Sequence, residues 1–308
     1  MPGQQTLMDL EKFAVSKKVK FEAGPNGLLR AAVTTPLASA TVYLYGAHVT
    51  HYQAAKQKPL LYLSPRSVFE RGKAIRGGVP VCFPWFGPRS GDATSPMHGF
   101  ARTAVWTVEA IKENADGGVT LTFVLEPNDV MLKTWPFKFA LRHRVTVGES
   151  LEMVLEVQNQ SPQPFRFEDA QHTYLAVSDV RNVTVSGLGG NIYVDKADGM
   201  KHKQQGTEGI RFGGETDRIY TNVSKGCTVE DPRGERRIVV EKSGSETTVL
   251  WNPWEEKAGT LADLGAEEWP KFLCVETANA SHNAVLLRPN QRHQMRTNLV
   301  PKLYENIF

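Results

Sequence analysis

An all-β fold, a large antiparallel β-sandwich with a few short helices, is predicted for this 308-residue sequence by three observations. Short β-rich runs recur along the chain. Gly, Pro, Asn and charged residues separate them at close intervals. A long helical period and a βαβ alternation are both missing from the pattern.

In chain order, Leu7, Leu10, Phe13 and Ala14 stand at helical spacing and predict one short amphipathic helix over about residues 6–17. Strand signals follow. Residues 19–22 meet a GPNG turn at 24–27, and residues 41–45 alternate β-formers before Gly46. Residues 106–111 and 119–125 flank Asp116-Gly117-Gly118, and residues 141–147 and 151–157 flank Gly148-Glu149-Ser150, so both pairs read as hairpins. Later β-rich runs cover 182–186, 237–241, 247–251, 272–276 and 284–288. No linker, low-complexity tract or short repeat interrupts the sequence, and one domain spanning 1–308 is the expectation.

Composition narrows the function classes. Hydrophobic residues make up 41% and charged residues 22%, enough apolar content for a substantial core, and no apolar run reaches membrane-spanning length. A net charge of +3 without a Lys/Arg block argues against a nucleic-acid partner while leaving a small anionic substrate compatible. The start MPGQQTLMDLEKFAV has no basic-then-apolar signal pattern, so a cytoplasmic address is expected. Cys82, Cys227 and Cys274 are odd in number and widely spaced, which suggests neither a disulfide framework nor a cysteine zinc site. His48 and His51 lie three apart in a β-like region, where a period of two sends them to opposite faces; no metal site is expected.

Chemistry-bearing residues gather in a few stretches. From Arg71 to Arg102 the chain is rich in glycine, proline and aromatics, with Arg76 in IRGG and Arg102 in HGFAR. Glycine permits close backbone approach, and guanidinium groups hold phosphate through charge-assisted hydrogen bonds. Read alone, each arginine also fits a solvated loop, and His98 a hydrogen-bonded loop histidine. His172 in QHTYL could transfer protons near neutral pH if paired with a carboxylate, and otherwise reads as structural. Glu276, after the apolar run 272–275, is either a strand-end surface residue or a carboxylate at a cleft rim. Asp217 in GGETDRIY reads first as a turn former. WNPW at 251–254 offers aromatic faces for a sugar or for the core.

Taken in order, IRGG, CFPWFG, HGFAR, HTYL, ETDRIY, WNPW and CVE resemble the hexose-6-phosphate mutarotases (glucose-6-phosphate 1-epimerases) of the aldose 1-epimerase group, over most of the chain from about Tyr45 onward. The resemblance implies a galactose mutarotase-like supersandwich with an open sugar cleft, a monomer, no cofactor, and a hexose phosphate as substrate. It implies His172 as catalytic acid, Glu276 as catalytic base, and Arg76, His98, Arg102 and Asp217 as substrate-binding residues. One departure is visible: Met97 stands before HGFAR where relatives often carry a polar side chain, so a contact made by that side chain is lost. Ring opening needs a proton at the ring oxygen while another leaves the anomeric hydroxyl, a demand that a histidine and a glutamate on opposite sides of the sugar would meet. Two other classes fit parts of the pattern. A carbohydrate-binding sandwich would use Trp251, Trp254 and the arginines without proton transfer, and a glycosidase would pair Asp217 with Glu276.

Overall fold

The computed structural model describes residues 5–15 and 17–304. Within these residues the strands form sheets of nine, eight, four and two members. All named strand pairs are antiparallel, which is what hairpins with short turns between β-rich runs produce.

The nine-stranded sheet contains both expected hairpins. Thr107–Glu113 pairs Val119–Leu125, which pairs Phe139–Val147, which pairs Leu151–Asn159. Their alternate residues Val119, Leu121, Phe123, Val145, Val147, Leu151, Met153 and Leu155 are all fully buried. The eight-stranded sheet runs Lys201–Gln204, Ile192–Asp195, Thr216–Thr221, Thr247–Asn252, Phe272–Asn279, Asp169–Gln171, Val81–Cys82, with Tyr174–Ala176 also on Phe272–Asn279. Its Leu250, Leu273 and Val275 join the same apolar cluster as the nine-stranded sheet. Each such Val, Leu or Phe contributes about 1.5–3 kcal/mol on burial, so period-two alternation dictates which face of each strand turns inward.

Several expectations shift in detail. The N-terminal helix is Leu7–Glu11, shorter than 6–17. Thr6 and Asp9 form a capping box that starts it, and Phe13 and Ala14 then bond back three residues to Leu10 and Glu11, tightening the chain into turns. Ser16, within the expected span, lies outside the described residues. The run 182–186 divides: Asp179 caps a 3-10 turn at Val180–Asn182, and only Thr184–Ser186 is strand. A twelve-residue strand, Arg292–Leu303, lies between Arg236–Ser243 and Leu151–Asn159 and was not expected. Four of its positions are buried, and two of those, Thr297 and Asn298, are polar beside Met295 and Leu299, which hides it from an apolar-run reading.

Candidate active site

The face of the eight-stranded sheet opposite to that of Leu250, Leu273 and Val275 carries the unusual residues, and strand register puts them there. One cross-strand row reads Val194, Ile219, Val249, Glu276. The next reads Asp217, Trp251, Cys274, Tyr174. Glu276 sits in Phe272–Asn279, a strand buried along its whole length, so the expectation of a strand-end surface position is excluded. Small residues Cys82, Ala170 and Ala278 flank it, and Phe86 closes over both these and the valine–isoleucine row.

His172 reaches Glu276 through a break in its strand. Gln171 pairs Thr277 and Tyr174 pairs Cys274, so the two residues between them lie opposite Val275 and Glu276. Its amide donates to Pro80 O at 3.0 Å, and Val275 donates to Thr173 O at 3.0 Å, anchoring the break on both sides. The result is a His172 Nε2–Glu276 Oε1 distance of 3.3 Å between two buried side chains. That contact leaves no room for a sugar between the groups. They can instead approach one edge of a pyranose, where the ring oxygen and the anomeric hydroxyl share a carbon; the opposite-sides arrangement is corrected.

Loops bring the remaining groups to the rim. Gly77 and Gly78, at φ +109 and +63, let the IRGG loop run against the neighbouring backbone; a Cβ on Gly78 would stand 2.3 Å from Val49 O. Arg76 is held there by Asp263 at 3.2 Å and donates to the Tyr174 hydroxyl at 3.0 Å. Gly99 likewise has no space for a side chain, its Cβ position lying 2.0 Å from Phe83 O. Beside it His98 occupies φ +63, a conformation rare for a non-glycine residue. Two bonds fix it: its amide donates to Gly87 O, and its Nδ1 accepts from the Gly87 amide at 3.1 Å. With Nδ1 accepting, the proton of the neutral ring lies on Nε2. The His98 ring meets that of His172 edge-on at 5.5 Å.

Arg102 donates to the Met97 carbonyl at 2.7 Å, while its buried Nε has no partner among the described residues. Met97 thus contributes its backbone, and its side chain is exposed. Asp217 is half-buried and forms an ion pair with Lys196 at 3.3 Å, so it is a strand residue in the site rather than a turn former. Lys196 was not expected, and only the antiparallel pairing of Ile192–Asp195 with Thr216–Thr221 reveals its neighbour. Trp251 is half-buried beside His172, whereas Trp254 packs against Trp269 with centroids 4.2 Å apart and is spoken for by the core.

Electrostatics follow from burial. Loss of solvent, then the charges of Arg102 and Arg76, hold the His172 imidazolium far less stable than in water, so its pKa lies well below the usual 6.5. Burial, reinforced by Asp217, raises the Glu276 carboxyl well above 4.5, with Lys196 and Arg102 opposing. Burial and then Arg102 also keep His98 neutral. Both shifts act in one direction, favouring the neutral imidazole and the protonated carboxyl over the charged forms. Asp217 is raised by burial too, against the pull of Lys196.

The comparisons with known proteins agree with this architecture. The family model described as aldose 1-epimerase matches residues 32–300. A protein of Escherichia coli (strain K12) named "Putative glucose-6-phosphate 1-epimerase" is 36% identical over 271 residues, covering 88% of this chain and 90% of its own. A protein of Cenchrus ciliaris with the same name is 34% identical over 278 residues, 86% of this chain and 82% of its own. Among solved structures, "a putative mutarotase (YeaD)" from Salmonella typhimurium superposes with a TM-score of 0.87 at 30% identity, covering 94% of this chain and 95% of that one. A galactose mutarotase related enzyme from Lactobacillus acidophilus, at 14% identity and TM-score 0.72, shares the fold. The chain therefore belongs to the aldose 1-epimerase family and is an isomerase of the mutarotase type.

Proposed function

We propose that this protein is a glucose-6-phosphate 1-epimerase that interconverts the α and β anomers of a hexose 6-phosphate, with His172 and Glu276 as its acid–base pair. The observation that carries the reading is the 3.3 Å contact between His172 Nε2 and Glu276 Oε1, buried inside a half-buried rim that includes Arg76, Arg102 and Lys196. The names of the relatives point to the same substrate.

With sugar bound, protonated His172 delivers its Nε2 proton to the ring oxygen as the carbon–oxygen ring bond breaks. Glu276 takes the anomeric hydroxyl proton, and the electrons of that O–H bond complete the aldehyde. The pair then holds neutral His172 and protonated Glu276, the state that burial already favours. Rotation about the bond to the aldehyde carbon presents its other face, and closure returns both protons along the same route. Each positioned group contributes about 10²- to 10⁴-fold. A dianionic phosphate near Arg102, Arg76 and Lys196 neutralises the charges that depress His172, so substrate binding itself promotes the protonated imidazole. His98 Nε2–H and Asp217 remain to bind sugar hydroxyls, as donor and acceptor.

The protein is further proposed to act in the cytoplasm as a monomer. Its three cysteines are free and buried, which suits a reducing compartment.

The test is anomer exchange in His172→Asn and Glu276→Gln. Both variants should lose at least about 10²-fold in rate while still binding sugar phosphate. Exchange at wild-type rate in both would leave a non-catalytic carbohydrate-binding protein.

A further inference from the structure

A proton-transferring imidazole is commonly oriented by a hydrogen bond at its second nitrogen. His172 makes no such bond to another residue: its Nδ1 is buried without a partner among the described residues, and only a backbone group of His172 itself bears on the ring. The torsion that turns the ring is broad and intrinsically permissive, so something else must hold Nε2 toward Glu276. Aromatic rings surround it. Tyr174 lies face to face with the imidazole at 4.9 Å and 13°, while His98 and Trp251 meet it edge-on at 5.5 and 6.1 Å.

We propose that Tyr174 is the positioning residue of His172, its ring face replacing the hydrogen bond that Nδ1 does not make to another residue. Tyr174 is itself immobilised. Its hydroxyl accepts from Arg76, which Asp263 holds, and its ring packs against Trp251 at 6.0 Å and Phe272 at 5.4 Å. Asp263 to Arg76 to Tyr174 to His172 is thus one continuous chain of contacts from the rim to the proton donor. The stack acts twice. It fixes the plane of the imidazole, and its electron-rich face favours the imidazolium once substrate is bound.

The inference rests on His172 being the acid of the proposed reaction, and the experiment separates the two ideas. Loss of exchange in His172→Asn tests the reaction; the following measurements test Tyr174. In the wild-type protein the His172 ring protons, assigned by their disappearance in His172→Asn, should be displaced upfield by the Tyr174 ring current. Tyr174→Phe keeps the face and should retain both the displacement and a kcat within about threefold of wild type. Tyr174→Leu removes the face and should lower kcat at least about tenfold with KM for glucose 6-phosphate nearly unchanged. The proposal is overturned by an undisplaced His172 signal in wild type, by a Tyr174→Phe loss as large as that of leucine, or by near-normal kcat in Tyr174→Leu. Should the leucine variant fail to fold, the wild-type spectrum and the phenylalanine variant decide.

Discussion

A carboxyl group and an imidazole buried 3.3 Å apart share one exchangeable proton over a range of pH, and both the gain of a second and the loss of the first stop catalysis. Because burial lowers His172 and raises Glu276, the acid limb of kcat/KM should fall below 6.5 and the alkaline limb well above 4.5. An anionic substrate favours the protonated form of each group, so both limbs of kcat should stand at higher pH for glucose 6-phosphate than for glucose. Coincident profiles for the two sugars would refute the link between the rim cations and the pair. At this scale the sequence was partly legible. His172, Glu276, Arg76, His98, Arg102 and Asp217 could be picked out because their motifs occur in a fixed order. Lys196 and Tyr174 could not be weighed, since an ion pair across strands and a stack between rings depend on register.

Elements hold these residues through contacts behind the site. Asp169 is fully buried opposite Asn279, whose side-chain amide donates to its Oδ1 at 2.9 Å, while Oδ2 has no partner among the described residues. Burial raises the carboxyl from an ordinary 3.8 to about 7, assisted by nearby Glu168; His293 lies against Asn279 at 3.2 Å. The folded protein therefore keeps a proton that the unfolded chain has released. This stabilisation is complete below about pH 3.8, declines as pH rises, and is gone above about 7. Asp169→Asn should flatten the dependence of urea midpoint on pH between 4 and 7 relative to wild type. An unchanged slope would show that another group carries it. Strands such as Val119–Leu125 and Leu151–Asn159 were legible from alternation and flanking turns, whereas Arg292–Leu303 was not, because polar residues at buried positions and Pro301 mask it. The N-terminal helix was overextended because spacing alone cannot reveal where i→i+3 turns replace helical bonds.

At the scale of the molecule, we take the chain to be one folding unit. A single apolar cluster extends from Leu10 to Leu299 and draws on both large sheets. Tryptophan fluorescence and far-ultraviolet circular dichroism should therefore report one coincident unfolding transition, and separated transitions would divide the chain into domains. The sandwich class was readable from the density of turns and the two hairpins from their flanking runs, but which distant strands adjoin was not, since neighbours such as Val81–Cys82 and Asp169–Gln171 are far apart in sequence. In the proposed reaction this buried pair, served by cations at its rim, moves protons on a phosphorylated sugar. Magnetisation-exchange NMR on glucose 6-phosphate, with glucose in parallel, tests it most directly. Exchange cross-peaks between the anomers should intensify on adding enzyme, far more for the phosphate ester than for the free sugar. Exchange no faster than in buffer would exclude proton transfer by His172 and Glu276 on this sugar.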